Sequence, residues 1–189
     1  IDITKDRLYV ERKDAATRRA VQSVMYLSLQ ALTRMLAPLL SFTAEEIWLA
    51  MPHSKEDDAR SVFLNDMSAP CVSWEFPEIE ARYDKLFELR DDVMKALELA
   101  RTEKIIGKSL DADITLYASG EMYALLDECR DILSTVFIVS STALREGPAP
   151  ADCVVGEESG IGIAVNRAAG EKCDRCWMYH TGGKHIHTE

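Results

Sequence analysis

A chain of 189 residues holds one large domain or two to three small ones with real cores. Its 47% hydrophobic and 29% charged content belongs to an ordinary soluble globular protein, and no apolar run approaches the ~20 residues that span a bilayer. The net charge of −10 opposes phosphate binding as a sum, so a nucleic-acid role has to rest on how that charge is distributed.

The charge is segregated. Residues 5–19 hold Lys5, Arg7, Arg12, Lys13, Arg18 and Arg19 against Asp6, Glu11 and Asp14, whereas residues 75–92 hold seven acids against three bases. The N-terminal stretch is either a solvated face or an RNA-facing one, with Arg12, Lys13, Arg18 and Arg19 as its candidate phosphate contacts.

Taken in order, residues 15–37 predict a long helix. Val21, Val24, Met25, Leu29, Leu32, Met35 and Leu36 recur at three- and four-residue spacing, a stripe that should pack on other helices. Pro38 stops it. Thr43-Ala44-Glu45-Glu46 has the form of a capping box opening a helix that carries Trp48 as a core residue. A polar loop over 53–60 contains His53, and a short extended piece follows over 61–66. Trp74, between the loops, is expected to anchor packing.

Residues 80–104 predict a second long helix with Leu86, Leu89, Val93, Leu97 and Ala100 on one face, capped by Gly107. The period then changes to two. Ala112, Ile114, Leu116 and Ala118 alternate with polar residues as a half-buried strand. A helix over 120–131, an apolar strand over 135–140, a Pro/Gly linker over 146–151 and a strand through Ile161, Ile163 and Val165 complete the pattern. The fold class expected is α + β: a helical domain over 1–106, a small α/β unit over 107–150, and a strand with a metal knuckle over 151–189.

Five cysteines (Cys71, Cys129, Cys153, Cys173 and Cys176) are an odd number in apolar or loop settings, which suggests free thiols in a reducing compartment and no disulfide framework. Cys173-Asp174-Arg175-Cys176 has the C-x2-C spacing that aims two sulfurs at one point, half of a tetrahedral zinc site. Either His180, His185 or His187 completes the site, or the chain is a piece of a longer protein whose second cysteine pair lies further on. The start at Ile1 rather than Met favours the latter. A catalytic set is not visible: there is no G-x-x-x-x-G-K-S/T phosphate loop and no G-x-G-x-x-G opening a helix.

Asp2-Ile3-Thr4-Lys5-Asp6-Arg7-Leu8-Tyr9, with Leu36-Ala37-Pro38-Leu39-Leu40-Ser41-Phe42-Thr43-Ala44-Glu45-Glu46-Ile47-Trp48, resembles the anticodon-binding domain of class I aminoacyl-tRNA synthetases for branched aliphatic amino acids. Gly107-Lys108-Ser109-Leu110-Asp111-Ala112 and Gly170-Glu171-Lys172-Cys173-Asp174-Arg175-Cys176-Trp177 narrow the resemblance to the bacterial isoleucyl-tRNA synthetases. The resemblance implies a parent enzyme with an ATP- and magnesium-dependent catalytic domain and an editing domain upstream, and a second cysteine pair beyond Glu189. It implies a tRNA-binding, catalytically silent piece of a cytoplasmic, monomeric ligase, whose partner is the tRNA for isoleucine. Arg175 and Trp177, held by the Cys173/Cys176 knuckle, join the basic cluster as candidate RNA contacts. Competing readings are a protein-interaction module with a degenerate zinc ribbon, and the zinc-bearing tail of a DNA-repair glycosylase.

Overall fold

The structure, a computed structural model, describes residues 2–181. Its contacts divide the chain into two compact units: residues 11–75 form one, and the segments on either side of them form the other. The boundaries expected at 106/107 and 150/151 are not where compaction falls. Strands from both sides of residue 150 hydrogen-bond in one sheet, and the long helix that precedes residue 107 covers that sheet, so none of these pieces has a core alone. Among the described residues no helix is long and apolar enough to cross a membrane.

The larger unit is α + β. It opens with the short helix α1 (Lys5–Tyr9). It resumes after the smaller unit, whose helices are α2 (Ala16–Leu36) and α3 (Ser41–Ala50), with the long helix α4 (Pro77–Thr102), which starts on a proline whose fixed φ suits a first helical turn. Leu86, Leu89, Val93, Ala96, Leu97 and Ala100 are buried along α4 at helical spacing. β1 (Ala112–Ala118) follows, with Ala112, Ile114, Leu116 and Ala118 buried, the alternation that its period predicts. Helices α5 (Gly120–Glu128) and α6 (Arg130–Phe137) then return the chain to β2 (Ser141–Glu146), which lies parallel to β1. β3 (Val154–Val155) and β4 (Gly162–Arg167) complete a sheet of order β2-β1-β4-β3, with β4 antiparallel to β1. A small hairpin, β5 (Glu171–Lys172) with β6 (Tyr179–His180), carries the cysteine knuckle.

Two expectations fail in this unit for local reasons. Residues 135–140 are not a strand. Leu133, Val136 and Phe137 are buried at helical spacing in α6, which ends at Ile138 in the left-handed region at φ 57°. The cap of α4 is not Gly107 but Lys104, at φ 62°. Its N–H donates to the Arg101 carbonyl at 3.1 Å, and that of Ile105 to the Ala100 carbonyl at 2.9 Å, the paired bonds of a Schellman closure. A lysine there costs about 1 kcal/mol relative to glycine.

A buried carboxylate ties α4 to the loop between β3 and β4. Asp92 accepts the Ser159 N–H at 2.9 Å, the Ser159 hydroxyl at 2.8 Å and the Glu158 N–H at 3.2 Å. Burial alone would raise its carboxyl; the Ser159 and Glu158 donors and the nearby Lys95 outweigh this and hold it below its ordinary value. Gly156 makes room for the arrangement, since a Cβ there would lie 2.3 Å from Asp92 Oδ2.

The smaller unit packs α2 (Ala16–Leu36) against α3 (Ser41–Ala50) and a 3-10 turn at Val62–Leu64. That turn stands where an extended piece was expected. The capping box is also absent: α3 begins two residues before Thr43, and Glu45 is used instead to accept the Ser61 hydroxyl and the Val62 N–H, both at 3.0 Å. The core is Ala37, Ala44, Trp48, Met51 and Val62, with Tyr26 and Ile47 beside it. The helix therefore turns inward the seam of Tyr26, Thr33 and Ala37. The apolar stripe read from the sequence stays largely outside, with Val24, Met25, Leu29, Leu32, Met35 and Leu36 all exposed. Trp74 is exposed too, and anchors nothing.

Candidate nucleic-acid interface

In the smaller unit the four basic candidates divide by what already occupies them. The Arg12 guanidinium forks onto Asp14, with Nε–Oδ1 and Nη2–Oδ2 both 3.0 Å, and this bond, with Asp14's own backbone N–H, lowers the Asp14 carboxyl. Arg18 is half-buried and donates to the Glu11 carbonyl at 2.9 Å, fastening the entry loop to α2. Those two are structural cations in the conformation described. Lys13 and Arg19 are exposed, with no ion pair to a described residue.

Arg19 also rims an open groove of about 650 Å³ that includes Gln22, Tyr26 and His53. His53 is not a loose loop residue. Its ring packs on Trp48 at 4.7 Å between centroids, and its Nδ1 is buried without a hydrogen-bond partner among the described residues. Trp48 is fixed in turn by its Nε1–H donating to the Asp58 carbonyl at 3.0 Å and by the Arg34 guanidinium 5.1 Å above its ring. Arg34 is paired with Asp57, which also accepts from Gln30 at 3.0 Å. Burial would raise the Asp57 carboxyl, but the Ser54 donors and Arg34 bring it below its usual value. The groove thus offers a cation, an amide, a phenol and an imidazole on a rigid floor, groups suited to a base edge and its phosphate. Sequence reasoning missed Gln22, Tyr26 and His53, since only the fold brings residues 22–26 and 53 together.

In the larger unit the knuckle is a closed turn. The Cys173 N–H donates to the Met178 carbonyl at 2.9 Å, and the Trp177 N–H to the Cys173 carbonyl at 2.8 Å. Gly170 is required at its base: its φ is 99°, and a Cβ would come 2.2 Å from the His180 carbonyl oxygen. Ser140 pins the hairpin to the sheet. Its hydroxyl accepts the Tyr179 N–H at 2.8 Å and donates to the Leu110 carbonyl at 2.5 Å.

This pinning leaves the far side of the turn outward. Trp177 sits at φ 62° and is 56% exposed, so it is not packed into the core. The Lys108 ammonium lies 5.7 Å from its ring centroid, and Lys172 stands likewise 5.8 Å from the Tyr179 ring. Arg175, within the same turn, is exposed. An exposed indole with a cation over its ring suits stacking of an unpaired base.

The two thiols are differently poised. Backbone N–H groups of Cys176 and Arg175 lower the Cys173 thiol, whereas burial raises that of Cys176. Cys176 Sγ is 3.8 Å from His180 Nε2, so the hairpin brings one candidate ligand close. Among the described residues, however, no three or more His, Cys, Asp or Glu side chains are grouped as a metal site requires. The donors fit half of a tetrahedral zinc set. His185 and His187, among residues 182–189, lie outside the described residues.

Residues 1–116 match the family of anticodon-binding domains of tRNA ligases. Isoleucine–tRNA ligase of Caldanaerobacter subterraneus is 43% identical over 181 residues, 95% of this chain and 19% of that protein. The enzyme of the same name from Syntrophotalea carbinolica is 46% identical over 183 residues, 96% of this chain and again 19% of the relative. That of Halalkalibacterium halodurans is 43% identical over 178 residues, 94% and 19%. The chain spans about a fifth of the length of these relatives, with the similarity running through the knuckle as well as the helices. By its first 116 residues, the chain belongs to the anticodon-binding domain family of tRNA ligases.

Proposed function

We propose that this chain is the anticodon-binding part of a bacterial isoleucine–tRNA ligase, and that it holds the anticodon stem and loop of the tRNA for isoleucine while the parent enzyme joins isoleucine to that tRNA with ATP. The helices, α2 and α3 with the long α4, are read as the bundle of a class I synthetase. The observation that carries the reading is the outward Trp177, with the Lys108 ammonium over its ring and its hairpin fixed through Ser140. Arg175 and Trp177 on one unit, and Lys13 and Arg19 on the other, are the contacts that a single-stranded loop and its phosphates would use. The parent acts in the cytoplasm as a monomer.

Binding of a fluorescent anticodon stem–loop, cognate against one with an altered anticodon, tests this. Preference for the cognate loop, lost in Trp177→Ala, is expected. Equal affinity for both loops, unaffected by Trp177→Ala, overturns it. Isoleucine-dependent ATP–pyrophosphate exchange is expected to be absent from the chain.

Zinc would be held by Cys173 and Cys176, clamping the knuckle, and a structural site needs four ligands. The reading is therefore weak zinc retention by this chain, and tight retention once it is extended through the second cysteine pair. One equivalent of zinc surviving gel filtration, and lost in Cys173→Ser, would instead assign the remaining ligands to histidines.

A further inference from the structure

The end of α4 borders a cavity of about 480 Å³, within the size range of small-ligand sites, roughly 300–1,000 Å³. Its lining holds three cations, Arg101, Lys104 and Arg167, and one carboxylate, Asp111. The carboxylate is occupied: Asp111 Oδ2 accepts the Lys108 N–H at 2.8 Å, and Oδ1 lies 3.8 Å from Lys172 Nζ. Arg101 is partly occupied, paired with Glu98 and 3.4 Å from the Ser109 hydroxyl. Lys104 and Arg167 have no carboxylate partner among the described residues, and both are exposed.

Helix polarity works against an anion here, because the C-terminus of α4 carries partial negative charge. The Schellman bonds occupy the Ala100 and Arg101 carbonyls, and three cations outnumber the residual charge. A second feature points the same way. Lys104 and Trp177 are both non-glycine residues at φ 62°, and both are exposed. Lys108, next to the cavity residue Gly107, reaches from its rim to the Trp177 ring.

We propose that this cavity is a phosphodiester subsite for RNA, in which Lys104 and Arg167 hold a backbone phosphate of the strand whose base stacks on Trp177. The inference rests on the RNA-binding reading above and adds to it the residues that fix the strand's path. A free anion such as inorganic phosphate shares the chemistry, so the test separates the two sources.

The variants are Lys104→Gly and Arg167→Gln in this chain. Lys104→Gly removes the charge while relieving the left-handed backbone, so its thermal midpoint should hold or rise. Each is expected to weaken stem–loop binding roughly three- to tenfold at low salt and to reduce the log–log salt slope by about 0.7. Lys104→Arg should restore both. Stem–loop binding by the parent chain that Trp177→Ala weakens, but that Lys104→Gly and Arg167→Gln leave unchanged, overturns the subsite alone. No stem–loop binding by the parent chain overturns both readings. Inorganic phosphate shifting the Gly107 and Lys108 amide resonances, with stem–loop affinity intact in both variants, makes the cavity a free-anion site and also overturns the proposal.

Discussion

Twenty residues make up the buried core of the larger unit, against five in the smaller one among the described residues. The larger unit wraps α4 and α6 over a four-stranded sheet and buries each element's apolar face. The smaller one buries Trp48 completely yet leaves Val24, Leu32, Met35, Leu39, Phe42 and Leu49 more than half exposed. The contrast separates a unit that packs most of its apolar residues on its own elements from one that leaves many of them outside.

The sharpest way to break this comparison is Trp48→Ala. It removes the centre of a five-residue core together with the support for His53 and Arg34, and should cost about 3–5 kcal/mol. The smaller unit is expected to lose its amide protection in hydrogen exchange while Ile114 and Leu116 stay protected. A single joint transition would show that the two units do not differ as described.

Asp92→Asn is next, at about 2–3 kcal/mol confined to the larger unit, because it weakens charge-assisted bonds from Ser159 and Glu158. The pH dependence follows from the sign of the shift. The folded carboxyl lies below its ordinary value of 3.8, so its stabilisation is present above that value and lost as pH falls through the lower folded one. Acid titration of Asp92→Asn should therefore show a shallower loss of stability below pH 4 than the parent chain. An identical acid limb would remove Asp92 from the account.

Smaller still, Ser140→Ala should cost about 1–2 kcal/mol and loosen the hairpin, read as broadened Trp177 and Tyr179 resonances with the sheet unchanged. Unchanged knuckle resonances would mean that Ser140 does not pin it.

What was legible in the sequence follows from which side covers each face. The strand through Ala112, Ile114, Leu116 and Ala118 was legible because its alternation has one reading. Residues 135–140 were not, because a short apolar run fits a buried helix end as well as a strand, and the left-handed Ile138 leaves no glycine to mark the stop. Lys104 was hidden by the same expectation of glycine. The stripe of α2 was read correctly as apolar, but period does not tell what lies against it. Trp177 and Arg175 were singled out from their place in the knuckle, and both are exposed. The Arg12–Asp14 fork and the Arg18–Glu11 bond depend on rotamers that residue type does not disclose.

The central claim is that this chain holds RNA through exposed cations on its two units and a stacking tryptophan on the larger one, despite its net charge of −10. The salt dependence of its binding to the tRNA for isoleucine tests that most directly. With Lys13, Arg19, Lys104, Arg167 and Arg175 engaged, a log–log slope of about −3 to −5 is expected. A slope near zero, or no binding at low salt, would contradict the account.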